Sequence, residues 1–438
     1  MSLVDDSLTR LENGSENPDD NKDNKPKVRL VSLWRNWEIA SLMIAVAISW
    51  VGFGLVAPLR TLYARSEGAS GGEVGLMGAA YLFSSFIFLF PFGWLSDRYS
   101  RTALIVGGLF AHMLITLAYL PFTSGEAFVA LRFLEGISSA AVMPAARAML
   151  ADVTPPGRNG EAFGMMSVMI TFGMFAGPPI GTFMAEGLGF APVYLLAGFV
   201  FIPAIIMILW AFRKRPSNNR AIPAPKAKIT ASENGLQAAG TFAEKLWTGP
   251  IIIGCLIRIA LSLGMGLAIT IWSLFMTDLG FSLTLIGITY TVYSIPMILI
   301  GSRAGRFSDR YGRLGMMFGG SLLLGLIWIS YGWITTFAVF LLVGTIEGIL
   351  DTIARSANDG YLADHSPAHS RGRAQGLFNA ATQFGSLIGA LGSGFLYELG
   401  RGVPFIVMGS LQIILVLISL ALAVFFQKRK SGVMSLAS

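Results

Sequence analysis

Few residues of this sequence can do chemistry, and most of those stand where charge is expensive. Arg132, Glu135, Arg258, Glu347, Asp351 and Arg355 all lie inside long apolar runs. Ionisable groups so placed turn inward, find partners and mark a function. Arg132 and Glu135 are three positions apart, hence neighbours on one helix face. Glu347, Asp351, Arg355 and Asp359 recur every four residues and share one slowly drifting face. At about 1.5 Å per residue, Glu347 and Asp351 fall near the middle of a bilayer and Asp359 near its edge. Buried carboxyls suit the carriage of protons or the attraction of a cationic substrate. The competing reading is a set of ion pairs that only ties helices together. Arg258 lies within reach of one of these acids. With Arg60 it also offers the feature that would favour an anionic substrate. His112 reads as a packed or hydrogen-bonded residue.

Composition explains why such groups are costly. Of 438 residues 54% are hydrophobic and only 13% charged, and the apolar stretches reach the roughly 20 residues that cross a bilayer. The net charge of +7 does not imply nucleic acid, because the basic residues sit between the apolar runs. A single cysteine, Cys255, excludes an intramolecular disulfide and a cysteine metal site. The polar start of the chain has no short apolar core of a signal peptide. No nucleophile triad, metal cluster or Walker-type loop appears, so neither an enzyme nor ATP-driven work is expected. No cofactor is expected either; a proton gradient is the implied energy source.

Twelve spans are predicted, near 38–62, 74–95, 102–121, 127–149, 162–186 and 190–212, then 250–275, 284–304, 314–334, 338–361, 374–397 and 404–427. They divide the chain into a disordered tail (1–36), a six-helix bundle (37–212), a linker (213–248), a second bundle (249–427) and a final tail (428–438). The second bundle repeats the first. Gly93-Trp-Leu-Ser-Asp97-Arg98-Tyr-Ser-Arg101 returns as Gly305-Arg-Phe-Ser-Asp309-Arg310-Tyr-Gly-Arg313, 212 positions later. The same offset joins Gly54 to Gly266, Tyr81 to Tyr293, Glu135-Gly136-Ile137 to Glu347-Gly348-Ile349, and Asp152 to Asp364 without a gap. Of the 32 Lys and Arg residues, 26 fall in the tails, the linker and the loops on one side, against three on the other. That bias places both termini in the cytoplasm.

The two Asp-Arg-Tyr loops resemble the signature loop of the major facilitator superfamily. Ser100 replaces the second glycine in the first copy, and Phe307 replaces leucine in the second. Arg132-x-x-Glu135-Gly136 resembles the family's Arg-x-x-Gln-Gly motif. Gly173-x-x-x-Gly177-Pro178-x-x-Gly181 resembles the motif of its exporters, and the repeat keeps Gly389 but not the proline. The resemblance covers about residues 38–427 and implies an all-α membrane protein: twelve transmembrane helices in two pseudo-symmetric six-helix bundles. It implies a cytoplasmic gate in which Gly93, Asp97, Arg98, Arg101, Gly305, Asp309, Arg310 and Arg313 work with Arg147 and Asp152, Arg147 being the expected mate of Asp97. It implies proton coupling through Arg132 acting on a nearby carboxyl, for which Glu135 is adjacent, and the depth of Glu347, Asp351 and Arg355 adds these three to the proton-coupling candidates. Glu135 and Glu347, as repeat mates, are expected to face each other across the central cavity.

The reading that follows is proton-coupled efflux of a drug-like, cationic or lipophilic small molecule by a multi-pass monomer in the cell (inner or plasma) membrane, similar to the twelve-span drug:proton antiporters. Arg60, Phe88, Arg258, Trp272, Tyr290, Tyr293 and Phe378 are the candidate substrate-cavity residues. The rival on the same scaffold transports a sugar or an organic anion. A receptor, scaffold or lipid flippase is the third reading. The expected partners are the substrate, protons and the lipid bilayer, with no nucleic acid.

Overall fold

The computed structural model describes residues 33–155, 157–213, 248–366 and 371–435. The tail and linker expected at 1–36 and 213–248 lie almost wholly outside them. The described residues form α1 (Trp37–Ser66), α2 (Gly71–Arg98), α3 (Arg101–Ala118), α4 (Gly125–Val153), α5 (Asn159–Leu188) and α6 (Phe190–Phe212). The second set is α7 (Gly249–Asp278), α8 (Leu283–Tyr311), α9 (Arg313–Tyr331), α10 (Phe337–His365), α11 (Arg371–Leu399) and α12 (Val403–Ser435). Eleven of the twelve are long and apolar enough to cross a membrane. The remaining one, α11, packs against α2 and α7.

Local sequence sets the helix boundaries. Ser100, Ser124 and Ser282 each turn a side-chain oxygen onto a free amide of the first helical turn. The two signature loops reach the same turn differently. Gly312 has φ +99°, which a side chain resists, whereas Ser100 has φ −61° and caps α3 itself. The serine that breaks the family pattern therefore supplies a helix cap in place of a glycine turn. Several boundaries differ from expectation by four residues or more, among them the end of α8, at Tyr311 against about 304. α1 resumes after Ala57-Pro58 and continues to Ser66. α12 runs on to Ser435 through a stretch expected as tail, because nothing in Gln427-Lys-Arg-Lys breaks a helix.

Small residues decide how closely the helices meet. On α5, Gly173, Gly177 and Gly181 lie against Trp50, Gly54 and Leu55 of α1; a methyl group added to Gly177 would sit 2.5 Å from the Gly54 Cα. The second half repeats this contact: Gly385 and Gly389 of α11 lie against Ile259 and Leu263 of α7. The exporter-type glycines are thus occupied in packing within one half.

The two halves meet along α2 with α11 and α5 with α8. Gly75 touches Gly394, Gly78 touches Thr270, and Gly287 touches Pro179 and Thr182. All of these lie towards the end remote from the signature loops. At the signature-loop end, side chains added to Gly93, Gly164, Gly301, Gly305 or Gly376 would meet nothing within 4 Å. The ion pairs of the two signature loops also stay within their own halves. Among the described residues, the halves are closed against each other at the far end and open at the signature-loop end.

Candidate functional site

The duplication gives each bundle the same polar skeleton and fills it with different charges. In the first half, Tyr81 of α2 reaches Ser139 of α4, hydroxyl to hydroxyl at 3.4 Å; in the second, Tyr293 of α8 donates to Asp351 of α10 at 3.0 Å. Both residues of the second pair stand 212 positions after those of the first.

Glu135 of α4 is fully buried at 0% exposure. Its Oε2 accepts from Arg132 Nη1 at 2.6 Å and its Oε1 from Arg60 Nε at 3.3 Å. Arg60 stands on the second segment of α1 and is itself only 6% exposed. Two guanidinium groups on one carboxylate leave a formal charge of +1 in this core. The Arg132 guanidinium also covers the Tyr81 ring at 4.5 Å. His112 is buried nearby, its Nδ1 2.8 Å from Ser138 Oγ and its ring 4.1 Å from that of Phe53.

Glu347, the repeat mate of Glu135, has different neighbours. The positions matching Arg60 and Arg132 are Trp272 and Gly344, so neither guanidinium exists. Glu347 is 7% exposed, and its partner is the Tyr331 hydroxyl, which donates to Oε2 at 2.7 Å. Tyr331 is the repeat mate of Tyr119, whose buried hydroxyl has no hydrogen-bond partner because Glu135 is held by the arginines instead. Four residues along α10, Asp351 is balanced: Arg355 Nε bonds its carboxylate at 2.7 Å while Arg355 Nη2 donates to the Leu261 carbonyl at 2.7 Å. Among the carboxyls predicted for proton coupling, Glu347 is the one without an ion pair. Its partner Tyr331 was not among the predicted site residues; the repeat offset to Tyr119 is the signal that marks it.

Several expectations are corrected here. Glu135 and Glu347 do not face each other, since each bonds within its own half. Arg60 is bound to Glu135 and to the Phe53 carbonyl, and Arg258 pairs with Asp359 of α10, so each already has a carboxylate partner within its own half. Phe378 is 4% exposed and packs with Ile251, Cys255 and Leu362. Trp272 is buried as well: its Nε1 donates to Thr289 at 2.9 Å, and its ring meets Tyr331 edge-on at 5.0 Å. Phe88 is half-buried against Phe133, and Tyr290, with its hydroxyl 3.2 Å from Ser273, is half-buried too.

At the signature-loop end the pairing also differs from the predicted one. Arg101 clasps Asp152, and its repeat mate Arg313 clasps Asp364 at 2.7 Å and Asp309 at 2.7 Å. Both contacts tie the start of one helix to the end of the next within a half. Asp97 forms no ion pair with Arg147. Arg147 instead lines a 450 Å³ cleft with Phe163, Met166 and Ser167. Its repeat mate is Asp359, which has Arg258 opposite, whereas the position matching Arg258 is Val46. Arg98 and Arg310 lie over the rings of Trp94 and Tyr311.

Comparison with known proteins decides the family. The Major Facilitator Superfamily profile matches residues 42–262 and again 254–434. The chain belongs to this superfamily. Among superfamily relatives, a quinolone resistance protein, NorA of Staphylococcus aureus, is 27% identical over 385 residues, covering 84% of this chain and 92% of NorA. An uncharacterized MFS-type transporter of Methanocaldococcus jannaschii is 26% identical over 363 residues, covering 82% of this chain and 90% of that protein. Among solved structures, a point mutant of the nucleoside transporter NupG superposes with a TM-score of 0.67 at 16% identity, covering 87% of this chain and 99% of NupG. A bacterial homologue of the lysosomal transporter Spinster, in an inward-facing and unoccupied conformation, gives 0.68 at 14% identity, covering 90% of this chain and 96% of the homologue. The protein is a multi-pass membrane transporter of the major facilitator fold, not an enzyme.

Proposed function

We propose that this transporter exports drug-like, lipophilic or cationic small molecules in exchange for protons, with Glu347 as the carboxyl that carries the proton. The observation that carries this reading is the asymmetry between the repeat mates: Glu135 is held as an anion by two arginines, while Glu347 is equally deep with only a phenol as partner. Burying a carboxylate without a cation costs several kcal/mol. Protonation at Glu347 therefore relieves a buried unpaired charge and orphans no cation, whereas protonation at Glu135 would leave Arg60 and Arg132 without their counter-ion. The likeness to a protein named for quinolone resistance supports efflux as the direction and a drug-like cargo. The carboxylate partners of Arg60 and Arg258 support a cationic or lipophilic cargo over an anion.

In this reading the signature-loop end is cytoplasmic, which the distribution of Lys and Arg supports. The conformation is then inward-facing. Substrate enters from the cytoplasm or inner leaflet, the halves rock about the contacts of α2 with α11 and α5 with α8, and the carboxyl is reloaded from outside. The test is efflux of a lipophilic cationic dye from energised cells expressing the protein, with and without a protonophore. Efflux that stops with the protonophore and is absent in Glu347→Gln is expected. Failure to move any such dye would remove the drug-export reading.

A further inference from the structure

The far end of the molecule holds a second repeat of chemistry, and this one runs between the halves. Glu398, near the end of α11, accepts a hydrogen bond from the Gly72 amide at the start of α2 at 2.8 Å. Glu186, near the end of α5, accepts one from the Thr284 amide at the start of α8 at 2.7 Å. Glu398 is 212 positions after Glu186, and Thr284 is 212 after Gly72. The two bonds are therefore one contact made twice, and each joins a carboxylate of one bundle to a helix N-terminus of the other.

The receiving ends are built alike. Ser70 and Ser282, also repeat mates, cap α2 and α8 and take the amides of Glu73 and Leu285. That leaves the amide at the second helical position of each, Gly72 and Thr284, for the incoming carboxylate. A helix N-terminus carries roughly half a positive charge, so an anion there gains more than a neutral acceptor would. Close approach of the backbones makes the reach possible. Gly75, one turn below Gly72, lies against Gly394, and its mate Gly287 lies against Pro179 and Thr182.

The geometry points to Glu186 and Glu398 as a paired extracellular latch: two positioning residues that set the balance between the inward- and outward-facing states. Neither touches the buried charges of the bundles. Each contact exists only while the far end is closed, and both must open for the outward-facing state. The latch rests on alternating access, as the proposed function does, but not on any substrate or coupling ion. Its test uses neither.

The experiment is double electron–electron resonance on the full chain, with Cys255→Ala as background. One spin-label pair sits at Thr123 and Thr335, exposed repeat mates in the far-end loops, and a second at Tyr99 and Tyr311 beside the signature loops. Either Glu186→Gln or Glu398→Gln raises the ratio of far-end-open to far-end-closed molecules about two- to fivefold, and both together multiply. As Thr123–Thr335 widens, Tyr99–Tyr311 must narrow. Glu126→Gln, an exposed far-end acid outside the contact, leaves both distributions unchanged. The latch is overturned if the double variant shifts neither pair, if both pairs widen together as in loss of structure, or if Glu126→Gln shifts them equally.

Discussion

Replacing Glu135 and Glu347 by glutamine, one at a time, is the same chemical change at two repeat-related positions, and the structure requires different consequences. At Glu135 the change leaves Arg60 and Arg132, both 6% exposed, without their counter-ion, and the formal charge of the core rises from +1 to +2. Removing one partner of a buried ion pair costs about 3–5 kcal/mol. At Glu347 no cation is orphaned, and Tyr331 can still donate to the amide oxygen. There the roughly 1 kcal/mol lost by weakening one hydrogen bond is offset by relief of a buried charge that has no cation, so no net loss of stability is expected. The assay is thermal unfolding of purified protein in detergent, followed by size-exclusion chromatography. With an unfolding entropy of about 2 cal/mol/K per residue, Glu135→Gln lowers the midpoint by about 3–6 °C, whereas Glu347→Gln leaves it unchanged or raises it. Adding Arg60→Met to Glu135→Gln returns the core to its original formal charge of +1, with Arg132 still lacking its carboxylate, and recovers part of the loss. Equal destabilisation by the two glutamines, or a stable Glu135→Gln, would refute the argument from charge balance.

Other substitutions follow from the same geometry. Arg101→Ala and Arg313→Ala remove repeat-related, solvent-accessible pairs, so each costs about 0.5–1 kcal/mol in the same unfolding assay. A loss several times larger from one of them would contradict their equivalence. Gly177→Val drives a side chain into the α1 backbone and is expected to lower the yield of folded protein sharply, whereas Gly93→Val meets open space and leaves the yield near wild type. Comparable yields from the two would contradict the packing described for α1 and α5. Arg355→Met leaves Asp351 buried without a cation and is expected to cost about 3–5 kcal/mol by thermal unfolding; an unchanged midpoint would show that Tyr293 alone satisfies that carboxyl.

Much of this was legible in the sequence because membrane proteins write their plan in apolar length and in repeated punctuation. Eleven of the twelve helices follow from runs long and apolar enough to cross a bilayer, and the duplication from glycines and charges at one offset. Contacts along a single helix are legible too: Arg132 with Glu135, and Asp351 with Arg355, are neighbours by spacing alone. Contacts between helices are not. Arg60 stands 75 positions before Glu135, and no pattern within α1 says that it points inward to a carboxylate rather than into a cavity. Arg147 looks like a mate for Asp97 on charge, but in the open signature-loop end the arginine that finds an acid is Arg101. The different fates of Glu135 and Glu347 become visible only when Trp272 and Gly344 are seen to stand where Arg60 and Arg132 would be.

The claim on which the account turns is that Glu347 carries the proton. Its most direct test is transport in proteoliposomes containing the purified protein and a lipophilic cationic substrate, with an imposed pH difference on one set and none on the other. Glu347→Gln is expected to abolish pH-driven accumulation while keeping substrate counterflow, which needs the rocking of the halves but no net proton movement. A Glu347→Gln variant that still concentrates substrate against its gradient in proportion to the pH difference would contradict the account.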